Sequence, residues 1–74
     1  MKLAECIKYT RQKSFLSQEA FAKELNVSLA SVNRWEVGKS KPNLTAMKAI
    51  KEFCTKNSLP YDELEALWLG NHEE

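Results

Sequence analysis

The stretch Gln18–Trp35, QEAFAKELNVSLASVNRW, decides how this chain folds. Phe21, Ala22 and Leu25 fall at helical spacing, and Ser17 just before them offers a side-chain oxygen to the free N–H groups of a helix start. The pattern predicts a helix over Ser17–Leu25. Asn26 ends it, because Asn accepts the left-handed conformation needed just past a helix, though less readily than Gly. Val27 is apolar in the turn, and Ser28 is a second N-cap only two residues beyond Asn26. Another helix follows over Leu29–Val37 and stops at Gly38. Two short helices joined this tightly must cross steeply. Ala22 is small where they approach, and Val27, Val32 and Trp35 are apolar where the second helix rests on the first.

The rest of the chain is helical as well. Leu3, Ile7 and Thr10, with Cys6 beside them, predict a first helix over Lys2–Lys13, and Ser14-Phe15-Leu16 is a short connection. Gly38 to Pro42 is a polar loop carrying Lys39 and Lys41. Asn43 caps a fourth helix that turns Met47, Ile50, Phe53 and Cys54 inward. Asn57-Ser58-Leu59-Pro60 breaks it, and Pro60 suits the entry to a fifth helix over Tyr61–Leu69. Leu64, Leu67 and Trp68 are its apolar residues. Trp68 with Leu67 and Leu69 forms an apolar patch, either packed on Met47, Ile50 and Phe53 or used in dimerisation. Gly70 ends the helix and residues 71–74 form a frayed tail. No segment alternates with period two. The expectation is an all-α fold of four to five short helices, one domain over residues 1–70.

Composition narrows the function classes. Seventy-four residues with 43% hydrophobic and 28% charged side chains make one small globular domain, with little room for a deep substrate cavity. No apolar run approaches the roughly 18–20 residues that span a bilayer, and MKLAECIKYTRQK lacks the apolar core of a secretory signal. The expected setting is soluble and cytoplasmic, with no membrane partner. Cys6 and Cys54 can pair in principle, but in a cytosolic chain they read as small buried hydrophobes. The single histidine, His72, and the absence of a CxxC pair leave no metal site. No Gly-rich phosphate loop or oriented nucleophile is present, so no cofactor and no catalytic residue is expected.

The net charge of +1 hides an asymmetry. Residues 1–42 carry eight Lys/Arg against four Glu, whereas residues 43–74 carry three Lys against six acids. A basic first half is what a nucleic-acid binder shows, provided the charges share a face. Helical geometry supplies that face. With Ser28 at 0° and about 100° per residue, Val32 and Trp35 point near 10°, toward the core, while Leu29, Asn33, Ala30 and Arg34 spread over roughly 100–240°. Three of these four are short, so the helix can sit deep in a DNA major groove about 12 Å wide. Arg34 can donate two bonds to guanine, Asn33 can bond adenine or a phosphate, and Leu29 and Ala30 can touch thymine methyl groups.

Residues 7–53 resemble the phage repressor/Cro type, or XRE-like, helix-turn-helix family. The resemblance is carried by Leu16-Ser17-Gln18, by FAKELNVS over Phe21–Ser28 and by RWEVGKSKP over Arg34–Pro42. It implies a lambda-repressor-like domain that binds double-stranded operator DNA, commonly as a homodimer. By position it implies phosphate contacts from Gln18, which lies at a helix N-terminus suited to anions, and from Lys39 and Lys41. Ser28, Leu29, Ala30 and Arg34 match base-contacting positions, with the Ser28 hydroxyl at the helix start directed to phosphate. Arg11 and Glu36 match an internal ion pair between the first and third helices. The sequence departs from the family pattern at two places: Asn26 stands in place of the common turn Gly, and Leu29-Ala30 in place of polar base readers. The second departure shifts weight to Arg34, Asn33 and DNA shape.

The reading is therefore a sequence-specific transcriptional regulator, a repressor, that inserts residues 28–37 in the major groove. Two alternatives stand beside it. One is an antitoxin-type regulator whose acidic segment Tyr61–Glu74 binds a toxin. The other is a protein-interaction module that has lost DNA binding, which the apolar pair Leu29-Ala30 keeps open.

Overall fold

The computed structural model describes residues 1–70 and contains five helices: α1 (Leu3–Lys13), α2 (Gln18–Leu25), α3 (Leu29–Glu36), α4 (Leu44–Lys56) and α5 (Asp62–Trp68). The expected tail at 71–74, with His72, lies outside the described residues. The expected spans differ from these by a residue at some ends, where a capping residue was counted inside the helix. None of the five helices is long and apolar enough to cross a membrane.

Local chemistry accounts for the helix starts. The hydroxyls of Ser17 and Ser28 accept from the backbone N–H of Ala20 (3.1 Å) and Ser31 (3.0 Å), and Asn43 Oδ1 accepts from Ala46 N–H (2.8 Å). Each bond satisfies a donor that the helix leaves orphaned. α1 starts differently: the Glu5 carboxylate accepts from the backbone N–H of Lys2 at 3.2 Å.

The helix ends share one device. α1, α2, α3 and α4 each finish with a left-handed residue, at Phe15, Asn26, Gly38 and Ser58. In each case the next residue's N–H reaches back five positions: Leu16 to Arg11, Val27 to Ala22, Lys39 to Arg34 and Leu59 to Cys54. This is the Schellman arrangement. Leu16, Val27 and Leu59 then pack against the core. Asn26 and Gly38 suit the geometry. Phe15, a bulky residue at φ +60° and 95% exposed, does not.

The core gathers Ile7, Phe21, Leu25, Val32, Trp35, Met47, Ile50, Phe53, Cys54, Leu64 and Leu67. Phe21 and Phe53 meet edge to face, with ring centroids 5.3 Å apart. α2 packs on α3 and α4, and α1 on α3 and α5, so α3 is held from behind by the two helices that precede it. Thr10, within the apolar stripe of α1, is buried, and its hydroxyl donates to the Cys6 carbonyl at 2.9 Å. Cys6 and Cys54 are buried free thiols, as the hydrophobe reading expects. The apolar patch divides: Leu67 is in the core, Trp68 is half-buried against it and Leu69 is exposed.

Candidate nucleic-acid interface

α3 separates its residues by direction. Val32 and Trp35 are buried, while Leu29, Ala30, Asn33 and Arg34 are all exposed, Leu29 at 49% of its surface. The quartet therefore forms one outward surface, with no other part of the described chain packed over it. Leu29 and Ala30 open the helix, and Asn33 and Arg34 follow one turn later on the same side.

Ser28 sits exposed at the start of this surface with its hydroxyl already engaged. It accepts from the Ser31 N–H, as α3's cap, and donates to Ser31 Oγ at 2.9 Å. Its hydroxyl thus serves to begin α3.

Gln18 occupies the first turn of α2, half-buried, and its Nε2 donates to Glu36 Oε1 at 3.0 Å. That amide has a second N–H, which this bond leaves free to donate elsewhere. Glu36 is the last residue of α3, and its side chain is 3% exposed. Arg11 Nε donates to Glu36 Oε2 at 2.7 Å and Nη2 to Oε1 at 2.9 Å, while Nη1 donates to the Leu16 carbonyl at 2.9 Å. Side chains of α1 and α2 thus meet at a single carboxylate of α3, and the same guanidinium holds the turn before α2. The hydrogen bonds to Glu36 push the Arg11 guanidinium pKa further up, so the guanidinium stays charged. Arg11 and Glu36 are framework: they fix the α2 N-terminus, which holds Gln18, relative to α3, which holds the quartet.

Lys39 and Lys41 are exposed on the loop that leaves α3. The Lys39 N–H closes the Schellman turn on Arg34 O at 2.9 Å, which points the loop away from the helix end. Lys41 Nζ lies 5.9 Å from the centre of the Trp68 ring. Trp68 Nε1 in turn donates to the Pro42 carbonyl at 2.6 Å. Two of these contacts escape a reading by sequence pattern, Gln18 to Glu36 and Trp68 to Pro42. Both join residues far apart in the chain, and no periodicity encodes them. No group of His, Cys, Asp and Glu suited to a metal ion occurs among the described residues.

The comparisons with known proteins agree with this geometry. The family model described as Helix-turn-helix matches residues 7–57. The chain is 36% identical over 64 residues to the HTH-type transcriptional activator BcrR of Enterococcus faecalis, an alignment covering 86% of this chain and 30% of that protein. The chain thus spans under a third of the length of that relative. No solved structure matches. With five helices, an α2–α3 pair joined by a three-residue turn and an outward face on α3, the chain belongs to the helix-turn-helix family, of the XRE-like type.

Proposed function

We propose that the chain is a sequence-specific regulator that docks α3 in the major groove of duplex DNA. DNA-binding transcription regulation is the activity that goes with its family. The finer reading rests on one observation: Leu29, Ala30, Asn33 and Arg34 are exposed together while Val32 and Trp35 are buried behind them. In this reading Arg34 reads guanine through a bidentate pair, Asn33 reads adenine or a phosphate, and Leu29 and Ala30 meet thymine methyl groups. Gln18 offers its second amide N–H to one phosphate, and Lys39 and Lys41 follow the backbone on the other side of α3. Ser28 donates its O–H to a phosphate only once its bond to Ser31 Oγ is given up.

The regulatory outcome is repression by occlusion, which requires only that the domain occupy a promoter. The named relative is an activator, and it is longer than this chain. A homodimer places two α3 helices about 34 Å apart, one helical turn, on a two-fold site. Selection of bound fragments from a random duplex pool tests the reading. A shared motif containing G and T, repeated at one-turn spacing, supports it, and recovery of unrelated sequences overturns it. Placing the selected site over or upstream of a reporter promoter then reads the sign of regulation.

A further inference from the structure

The loop that carries Lys39 and Lys41 is held by a residue that the DNA reading leaves unused. At its front, the loop is tied to α3 through Lys39 N–H and Arg34 O. At its back, Asn43 caps α4. Between these pins Lys39, Ser40 and Lys41 are exposed, and among the described residues the one distant side chain that bonds the backbone between Lys39 and Asn43 does so at the Pro42 carbonyl. Its partner is the indole N–H of Trp68, the last residue of α5, at 2.6 Å. The face of the same indole lies beneath the Lys41 ammonium. One side chain thus grips the loop backbone and guides its lysine.

We propose that Trp68 is a positioning residue for phosphate binding: α5 holds the 38–42 loop through Trp68 so that Lys41 is presented to the DNA backbone. The inference rests on the DNA-binding reading above. Pro42 is suited to the role. It has no N–H of its own, its φ is fixed, and its side chain is fully buried, so its carbonyl direction is set once the ring is seated. The indole has one donor, and a half-buried indole seeks a partner for it. Here the partner lies on a DNA-facing loop, which makes α5 part of the interface without touching DNA. The ring holds Lys41 only loosely at this distance and exposure, so a phosphate can draw the ammonium away from it.

The test measures affinity for a mixed-sequence duplex of about 20 base pairs over a salt series, because backbone contacts need no particular operator. Wild type is compared with Lys41→Ala, Trp68→Phe and the double variant. Losing one phosphate contact lowers the slope of log affinity against log salt by about 0.9. Lys41→Ala should show that loss. Trp68→Phe, which keeps a ring but removes the N–H, should show a large part of it, and the double variant should lose no more than Lys41→Ala alone. A role in stability alone would instead lower the melting temperature with the salt slope unchanged. Binding by Trp68→Phe equal to wild type, or losses that add in the double variant, would overturn the proposal while leaving the DNA reading intact. A wild-type chain that does not bind the duplex would overturn both. If Trp68→Phe does not fold, benzothienylalanine at position 68 removes the N–H at nearly constant volume, and the same outcomes decide.

Discussion

Arg11 and Glu36 meet through two parallel hydrogen bonds, at 2.7 and 2.9 Å, that join α1 to the last residue of α3. The arrangement has consequences for stability as well as for the interface. Both side chains are largely out of water, at 12% and 3% exposure, so neither charge is readily solvated alone. Removing one member of a buried pair costs about 3–5 kcal/mol, because the other is left desolvated and unpaired. A domain of this size has a total stability of about 4–11 kcal/mol. Glu36→Ala should therefore remove a large share of it and lower the melting temperature by more than 10 °C, roughly. Replacing both residues with apolar ones of similar volume, Arg11→Met with Glu36→Leu, should recover most of that loss. Urea unfolding of the two variants beside the wild-type chain checks this. Equal losses in the single and double variants would mean that the pair contributes by something other than mutual compensation.

Phe15 carries the opposite kind of information. It adopts φ +60° with almost its whole side chain in water, so its ring gains nothing from burial and its backbone is strained. The left-handed conformation costs a non-glycine residue roughly 1–2 kcal/mol. It persists because Leu16, the following residue, is anchored on the core and the Schellman bonds need the turn. Phe15→Gly relieves the strain, although glycine also loosens the unfolded chain. The net result should be a gain of up to about 1 kcal/mol, read as a higher urea midpoint with an unchanged slope. A lower midpoint would show that the exposed ring has a stabilising contact after all.

Alkaline pH should weaken the fold. Burial, with help from the charge of Glu63, pushes the Cys6 thiol up from 9.0 to about 11. Burial also raises Cys54 and Tyr61. As pH rises past 9, unfolded thiols release their protons first while the folded chain still holds its own. Stability is therefore complete below pH 9 and declines as pH climbs toward the folded value near 11. Urea midpoints measured from pH 8 to 11 should fall, and should fall less steeply in Cys6→Ala. A flat profile in the wild-type chain would rule out this linkage.

The parts of the molecule legible from sequence were those decided locally. Ser17, Ser28 and Asn43 begin helices through bonds three residues long, and Asn26 and Gly38 end them with residues that tolerate positive φ. The split on α3 between Val32 and Trp35 and the outward quartet follows from the helical repeat alone. Phe15 and Ser58 could not be read this way. Their left-handed turns are set by the burial of Leu16 and Leu59, which depends on how α1 and α4 lie against the core. The bonds from Gln18 to Glu36 and from Trp68 to Pro42 depend on helix crossing and on the path of a loop, neither of which a sequence pattern specifies. The Arg11–Glu36 pair could be anticipated only by resemblance, because nothing about two charges so far apart in the chain predicts that they meet.

Arg34 and Lys39 should divide the binding energy by kind. Arg34 projects from one edge of the outward face of α3, in its last turn, where a guanidinium can present two parallel donors to guanine O6 and N7. Arg34→Ala should cost about 1–3 kcal/mol on the selected site and relax preference at one base pair, with little change in binding to mixed sequence. Arg34→Lys should recover affinity only in part, because an ammonium is a point charge without the planar fork. Lys39 lies exposed beyond the helix end, on the loop, and the proposed docking gives it a backbone contact. Lys39→Ala should weaken selected and mixed duplexes by similar factors and reduce the salt slope by about 0.9. Titrations of both variants on both duplexes at two salt concentrations separate the roles. Equal losses for Arg34→Ala on selected and mixed duplexes would remove Arg34 from base readout and leave it as one more backbone contact.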